Sequence, residues 1–174
     1  MVLYKEFKLK DLYEDIKRGK RIVKRDRIQG VVPLVTAGEE NYGISEYIKE
    51  HSTMGDSNSV TIDMFGNVFY REEEFYMDDN IINLKNTRFN RYHNLYIVSA
   101  LRYLTQIYSY SKQFRMKSLE DTYIQLPVKS LEDTEPDWEY MEEYIKQSEL
   151  KYVDKLTEEF NRKMDLLQDL IGKR

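Results

Sequence analysis

Apolar residues along this chain change period several times, and the changes mark out its elements. Val31-Val32-Pro33-Leu34-Val35 is a β-branched run around a proline, which predicts a strand at an edge or bulge. Ser59 to Asp63 and Phe65 to Tyr70 are two β-rich runs about a Gly66-Asn67 turn, the pattern of a hairpin. Phe75 to Leu84 predicts a short strand around Ile81-Ile82. Tyr123 to Val128 predicts another that stops near Pro127. The opening, Phe7 to Tyr13, reads as a short helical turn, with Gly19 ending it or a following turn; Lys20 to Gly30 is polar and ambiguous; Gly38 to Gly43 is loop.

Helical spacing governs two stretches. Between His93 and Gln106, Leu95, Val98, Leu101 and Leu104 recur three apart, which predicts a helix. From Asp137, a capping residue preceded by Pro136, neither Gly nor Pro returns until Gly172. Trp138, Met141 and Ile145, then Val153, Leu156, Phe160, Met164, Leu167 and Ile171, form a narrow stripe on a helix of roughly 50 Å. A small domain cannot cover that length, so the distal half needs another helix to pack on. Folding back onto the same domain is open to Met141 and Ile145 but not to the whole stripe. The expectation is an α/β (α+β) head over residues 1–136, then a spacer and dimerisation helix over 137–174 in a coiled coil with a partner.

Composition narrows the chemistry. Cysteine is absent, which excludes disulfides and thiol nucleophiles, and two histidines are too few for a histidine-rich metal centre. No basic-apolar leader or long uncharged apolar run is present, so a soluble, cytoplasmic protein without a membrane partner is expected. The net charge of −4 argues against a nucleic-acid partner until its distribution is considered. Lys17 to Arg27 holds seven cations against Asp26 alone; Lys85 to Lys117 holds seven and no acid; eleven acids gather from Glu135 onward. For a DNA binder the local field outweighs the sum.

Four segments in order resemble the target-recognition domain of restriction-modification DNA specificity subunits of the Type I and BcgI-like kind. They are VVPLVTAGEENYGI (31–44), VTIDMFGNVFYREEEFYMDDNIINLK (60–85), RYHNLYIVSALRY (91–103) and YSYSKQFRMKSLEDTYIQLPVK (108–129); DWEYMEEYI (137–145) resembles the lead into the spacer helix. The resemblance implies a mixed-sheet recognition domain, double-stranded DNA as ligand and no catalysis in this chain. It implies an adenine-methylating partner, sometimes fused to a nuclease, that carries the S-adenosylmethionine. Such subunits hold two recognition domains and two antiparallel spacer helices, so this chain resembles a half-subunit that would homodimerise through its C-terminal helix on a palindromic, gapped target. The family's Asn-Asn-Gly and Gly-Arg-Lys are here Asn41-Tyr42-Gly43 and Ser111-Lys112-Gln113, so no target sequence carries over.

The candidate contacts follow. Lys20, Arg21, Lys24 and Arg25 can neutralise phosphates, although the usual fate of such a run is a solvated surface. Tyr108 to Arg115 interleaves aromatics, hydroxyls and cations. Its Gln113 suits an adenine edge and its Arg115 a guanine edge, with Lys112 between the serine and the amide, while Tyr108, Tyr110 and Phe114 are open to a core reading. Asn41 and Tyr42 lie in a glycine-bracketed loop where turn chemistry competes, and Arg88 and Arg91 in a polar loop. Val153, Leu156, Phe160, Met164, Leu167 and Ile171 are the candidate interface.

Pro136-Asp137 and Glu149-Leu150-Lys151 spell a metal-nuclease pattern, but on one helix Asp137 and Lys151 stand about 21 Å apart and cannot share an ion. Neither an Asn-Pro-Pro-Tyr motif nor a Gly-rich cofactor loop occurs. The competing reading is a non-DNA-binding adaptor, or a decoy, that occupies a methyltransferase through the helix alone.

Overall fold

The computed structural model describes residues 2–172, with side chains in the last helix described as far as Gln168. Among the described residues, ten strands form three sheets. Strand β1 (Leu3–Lys8) pairs antiparallel with β10 (Tyr123–Val128). Four antiparallel strands follow the order β2 (Asp15–Arg18), β9 (Ile81–Lys85), β6 (Ser59–Asp63), β7 (Val68–Arg71). The third sheet is mixed: β4 (Ile44–Ile48), β3 (Gln29–Val35), β8 (Phe75–Met77), β5 (Met54–Gly55), with β3 and β8 parallel. Helix α1 (Arg91–Ala100), one-turn helix α2 (Leu104–Ile107) and helix α3 (Trp138–Gly172) complete the fold.

Alternation along β6 sets the layers. Val60 and Ile62 point into the main core with Ile82 and Leu84 of β9, Tyr96 and Ile97 of α1, Ile124 and Leu126 of β10, and Met141 of α3. Ser59, Thr61 and Asp63 point the other way and are also buried. They meet Asn83 and Arg71 in a polar layer facing the mixed sheet. Arg71 donates to Thr61 Oγ1 at 2.9 Å and lies over the Phe69 and Phe75 rings. Burial pushes its pKa down to about 10, partly offset by Asp63, so it stays charged at neutral pH.

Several expectations need correction. The helical turn expected over Phe7 to Tyr13 is present as a 3-10 turn at Leu9–Leu12, but Phe7 and Lys8 end a strand, β1, fixed by a partner over a hundred residues away, and Gly19 follows strand β2. Phe75 to Leu84 is two strands in different sheets, broken by a turn at Asp78-Asp79-Asn80. The hairpin's second strand starts at Val68, because Asp63 accepts the Phe65 and Asn67 N–H groups at 2.8 and 2.9 Å and builds a longer turn. The helix over 93–106 starts at Arg91 under an Asn90 cap and divides into α1 and α2. Strand β3 does carry its irregularity: Gln29 and Val32 both face Ile48, leaving Gly30 and Val31 looped out.

Helix α3 begins as expected, with Asp137 Oδ1 accepting the Tyr140 N–H at 3.1 Å. Its 35 residues extend roughly 50 Å, and only the first turns pack on α1. Asp137, Glu149 and Lys151 therefore run along one continuous element and do not converge on a single ion.

Candidate nucleic-acid interface

Strand register brings three distant loops to one end of the four-stranded sheet. Arg18 pairs with Ile82 and Asp63 with Ile81, so the chain leaves β2 and β6 beside the entry to β9. Gly19 donates to Ile81 O at 3.0 Å, and a Cβ at 19 would stand 2.0 Å from Asp78 O. Only glycine permits that approach. The loop after α2 is pinned there by Phe114, whose ring is buried and whose N–H donates to Met64 O at 2.8 Å. Together these segments enclose a cleft of about 540 Å³ lined by Arg21, Lys24, Asn80, Tyr110, Gln113 and Arg115 among others. Two basic stretches about ninety residues apart in sequence thus share one site.

Their cations have different fates. Lys17 contacts Asp15 and Asp56, Arg18 contacts Asp79, and Arg27 bonds Glu46 at 2.7 Å. Lys20, Arg21, Lys24, Lys112 and Arg115 have no carboxylate within 4.0 Å among the described residues; Arg25 reaches only its neighbour Asp26. Lys112 lies 5.5 Å from the Tyr108 ring. Arg115 is held by amides: Nη1 donates to Asn80 Oδ1 at 2.8 Å and Nη2 to Gln113 Oε1. Asn80 was not among the sequence candidates; the Asp-Asp-Asn run between apolar strands was the turn signal that would have exposed it. Gln113 also donates to Tyr110 O at 3.3 Å, so both ends of its amide are engaged within the loop rather than offered to a base. Phe114 took the core reading, whereas Tyr110 is 81% exposed at the cleft.

The other two candidate groups lie elsewhere. Arg88 and Arg91 sit past the opposite end of β9. Arg88 lies 3.8 Å from Glu135 with both side chains largely exposed, and Arg91 bonds Glu149 at 2.7 Å, so each has an acid beside it. Asn41 and Tyr42 both adopt left-handed backbone, φ 47° and 55°, a conformation that costs a non-glycine residue about 1 kcal/mol or more. Arg71 Nη2 donates to Tyr42 O at 2.7 Å, and Asp63 Oδ2 accepts the Gly38 N–H at 2.8 Å. The loop is thereby braced against the polar layer with the Tyr42 ring exposed over a second groove that includes Phe69, Tyr70 and Arg102.

The head and α3 meet at a histidine. His93 Nδ1 accepts the Asn90 N–H at 3.3 Å while Asn90 Oδ1 accepts the His93 N–H at 3.0 Å, closing a capping box. The imidazole lies among Phe89, Trp138 and, at 3.7 Å, Glu142. Burial lowers its pKa against the opposing pull of Glu142. A lowered histidine favours the neutral form in the folded chain, so its contribution is complete above about pH 6.5 and is lost as pH falls through the lowered value. Protonation at Nδ1 would also break the capping box. The unfolding temperature should therefore drop more between pH 7 and pH 5 in the wild type than in His93→Gln, whose carbonyl can still accept from Asn90; equal drops in thermal melts would remove His93 from the junction's pH response.

Beyond Glu149 the apolar residues of α3 described in the structure are exposed. Leu150, Val153, Leu156, Phe160, Met164 and Leu167 are exposed, and the side chain of Ile171 lies outside the described residues. No helix among the described residues is long and apolar enough to cross a membrane.

A sequence model of the family described as Type I restriction modification DNA specificity domain matches residues 1–158. The specificity subunit S.BcgI of a Type II restriction enzyme from Heyndrickxia coagulans is 28% identical over 160 residues, 89% of this chain and 46% of that protein. The chain thus spans about half the length of that relative. The S subunit of a Type I restriction-modification system from M. genitalium superposes with a TM-score of 0.58 at 19% identity, covering 88% of this chain and 42% of that one. The HsdS subunit from Thermoanaerobacter tengcongensis does so with a TM-score of 0.58 at 13% identity, covering 87% and 38%. At these identities the likeness is one of fold: mixed sheets followed by a long helix.

Proposed function

This chain belongs to the Type I restriction modification DNA specificity domain family, and on that premise we propose that it reads a duplex sequence for a separate modification enzyme in the cytoplasm. The observation that carries the reading is the shared cleft, where Arg21, Lys24 and Arg115 meet with no carboxylate paired to any of them among the described residues. Unneutralised cations release condensed counterions from phosphate, and a planar guanidinium among aromatic and amide groups can meet base edges. Lys20, Arg25 and Lys112, each adjacent in sequence to a lining residue, add positive charge to these segments, and Asn41-Tyr42 offers a second contact from its braced loop. Arg91, bonded to Glu149, fastens α1 to α3 instead, and Arg88 lies beside Glu135 ahead of the helix.

In this reading the chain catalyses nothing. The partner, an adenine methyltransferase alone or fused to a nuclease, holds the S-adenosylmethionine and transfers the methyl group. The exposed stripe of α3 supports association, most simply with the α3 of a second copy in a two-fold pair, which sets two clefts in inverted orientation for a palindromic, gapped target. The test is adenine methylation by the partner with and without this chain. Sequence-specific methylation should require it; methylation of equal specificity in its absence overturns the proposal. Methylation that changes in rate but not in sequence preference would instead identify an adaptor or decoy acting through α3.

A further inference from the structure

Resting on the DNA-reading proposal, we infer that Arg115 reads a guanine edge in the target and that Asn80 is the positioning residue that aims it. A guanidinium has five N–H donors in a plane, and a guanine in the major groove offers O6 and N7 as a matched acceptor pair. Asn80 and Gln113 take one donor from each terminal nitrogen of Arg115, which leaves three for a ligand. Both acceptors are neutral amides. They fix the plane without cancelling the charge, in contrast to Arg27 on Glu46 and Arg91 on Glu149.

The backbone at both ends of this arrangement is rigid. Phe114 is buried, and the Arg115 N–H donates to Ser118 Oγ at 3.0 Å while Arg115 O accepts the Ser118 N–H at 2.7 Å. Asn80 lies within a turn in which Asp78 Oδ1 accepts the Asp79 N–H at 2.9 Å and Asp78 O accepts the Ile81 N–H at 3.1 Å, directly before a central strand. A reader whose orientation is set in the free protein loses less entropy on binding and rejects a wrong base more sharply. Among the described residues Arg21 and Lys24 have no such bracing, which suits them to phosphates, where a flexible point charge suffices.

The experiment selects duplexes from a randomised pool with the full chain and its modification partner, and then measures affinity for the selected motif against salt. The wild type should enrich a motif containing a guanine. Arg115→Lys keeps the charge but loses the fork, so preference for that guanine should fall about tenfold or more while the salt slope is unchanged. Asn80→Ala keeps charge and fork but loses the aim; the same guanine column should weaken severalfold, with the rest of the motif, the salt slope and the melting temperature preserved. Wild-type guanine preference in Asn80→Ala refutes the positioning role, and in Arg115→Lys the reading role. A uniform loss across all columns in either variant would make Arg115 a phosphate contact and overturn the inference. If the wild type enriches no motif, the underlying DNA-reading proposal fails, an outcome distinct from both.

Discussion

Replacing Arg21, Lys24 and Arg115 together by alanine is expected to lower duplex affinity by about a hundredfold near 0.15 M salt and to flatten its salt dependence. Each cation that neutralises a phosphate contributes about 0.9 to the slope of log affinity against log salt, so Arg21 and Lys24 should remove about 1.8, while Arg115, as a base contact, removes affinity without adding to the slope. At 0.15 M each of these two is then worth about fivefold relative to 1 M salt, and loss of the Arg115 base contact, itself worth about fivefold or more, multiplies them. The fold should survive the change. Arg21 and Lys24 make no ion pair among the described residues, and Arg115 bonds only the amides of Asn80 and Gln113 through its side chain. Arg88→Ala with Arg91→Ala is the matched control: it also removes two cations, yet these are engaged by Glu135 and Glu149 and should leave the slope unaltered. Anisotropy titrations of a fluorescent duplex with the chain and its partner, from about 50 to about 300 mM salt, provide the measurement. A slope lowered by the control pair and untouched by the cleft variants would exchange the roles of the two regions.

Leu156→Glu with Phe160→Glu is expected to dissociate any α3-mediated dimer by about a thousandfold or more. In a two-fold pair each substitution occurs twice, so four carboxylates would enter one apolar seam. Truncating a single central interface residue commonly costs about 2 kcal/mol, and burying a charge costs more. Both side chains are exposed in the single chain, at 47% and 63%, so the head should melt at an unchanged temperature. Mass measured by sedimentation across the micromolar range distinguishes the outcomes. A wild type that stays monomeric throughout removes the homodimer and leaves the stripe to the modification partner; a variant as dimeric as the wild type removes the stripe from the interface.

What the sequence disclosed, and what it hid, divides along local and non-local lines. The strand at Tyr123–Val128, the pairing across the Gly66 turn and the cap and stripe of α3 depend on neighbours a few residues away, and their patterns were readable. Strand β1 depends on β10, and the break at Asp78–Asn80 depends on two different sheets competing for the residues on either side; no local window holds either fact. The site followed the same rule. Charge runs at 17–27 and 85–117 were visible, but not which acids would reach them. Lys17 meets Asp56, Arg27 meets Glu46 and Arg91 meets Glu149, across 19 to 58 residues of sequence. The acid-free character of 85–117 was therefore misleading at its N-terminal end, where the acidic tail folds over it, and informative at Lys112 and Arg115, where it does not. Asn80 is uncharged and alone, and acquires meaning only beside Arg115.

The central claim, that the cleft between residues 20–27 and 109–115 is where the duplex lies, is tested most directly by amide hydrogen exchange of the complex with its selected duplex and partner, compared with the complex alone. Protection should rise across 20–27, 78–80 and 109–115 and stay level at 86–93. Protection confined to the α1 end of the sheet, with exchange at the cleft unchanged by DNA, would contradict the account.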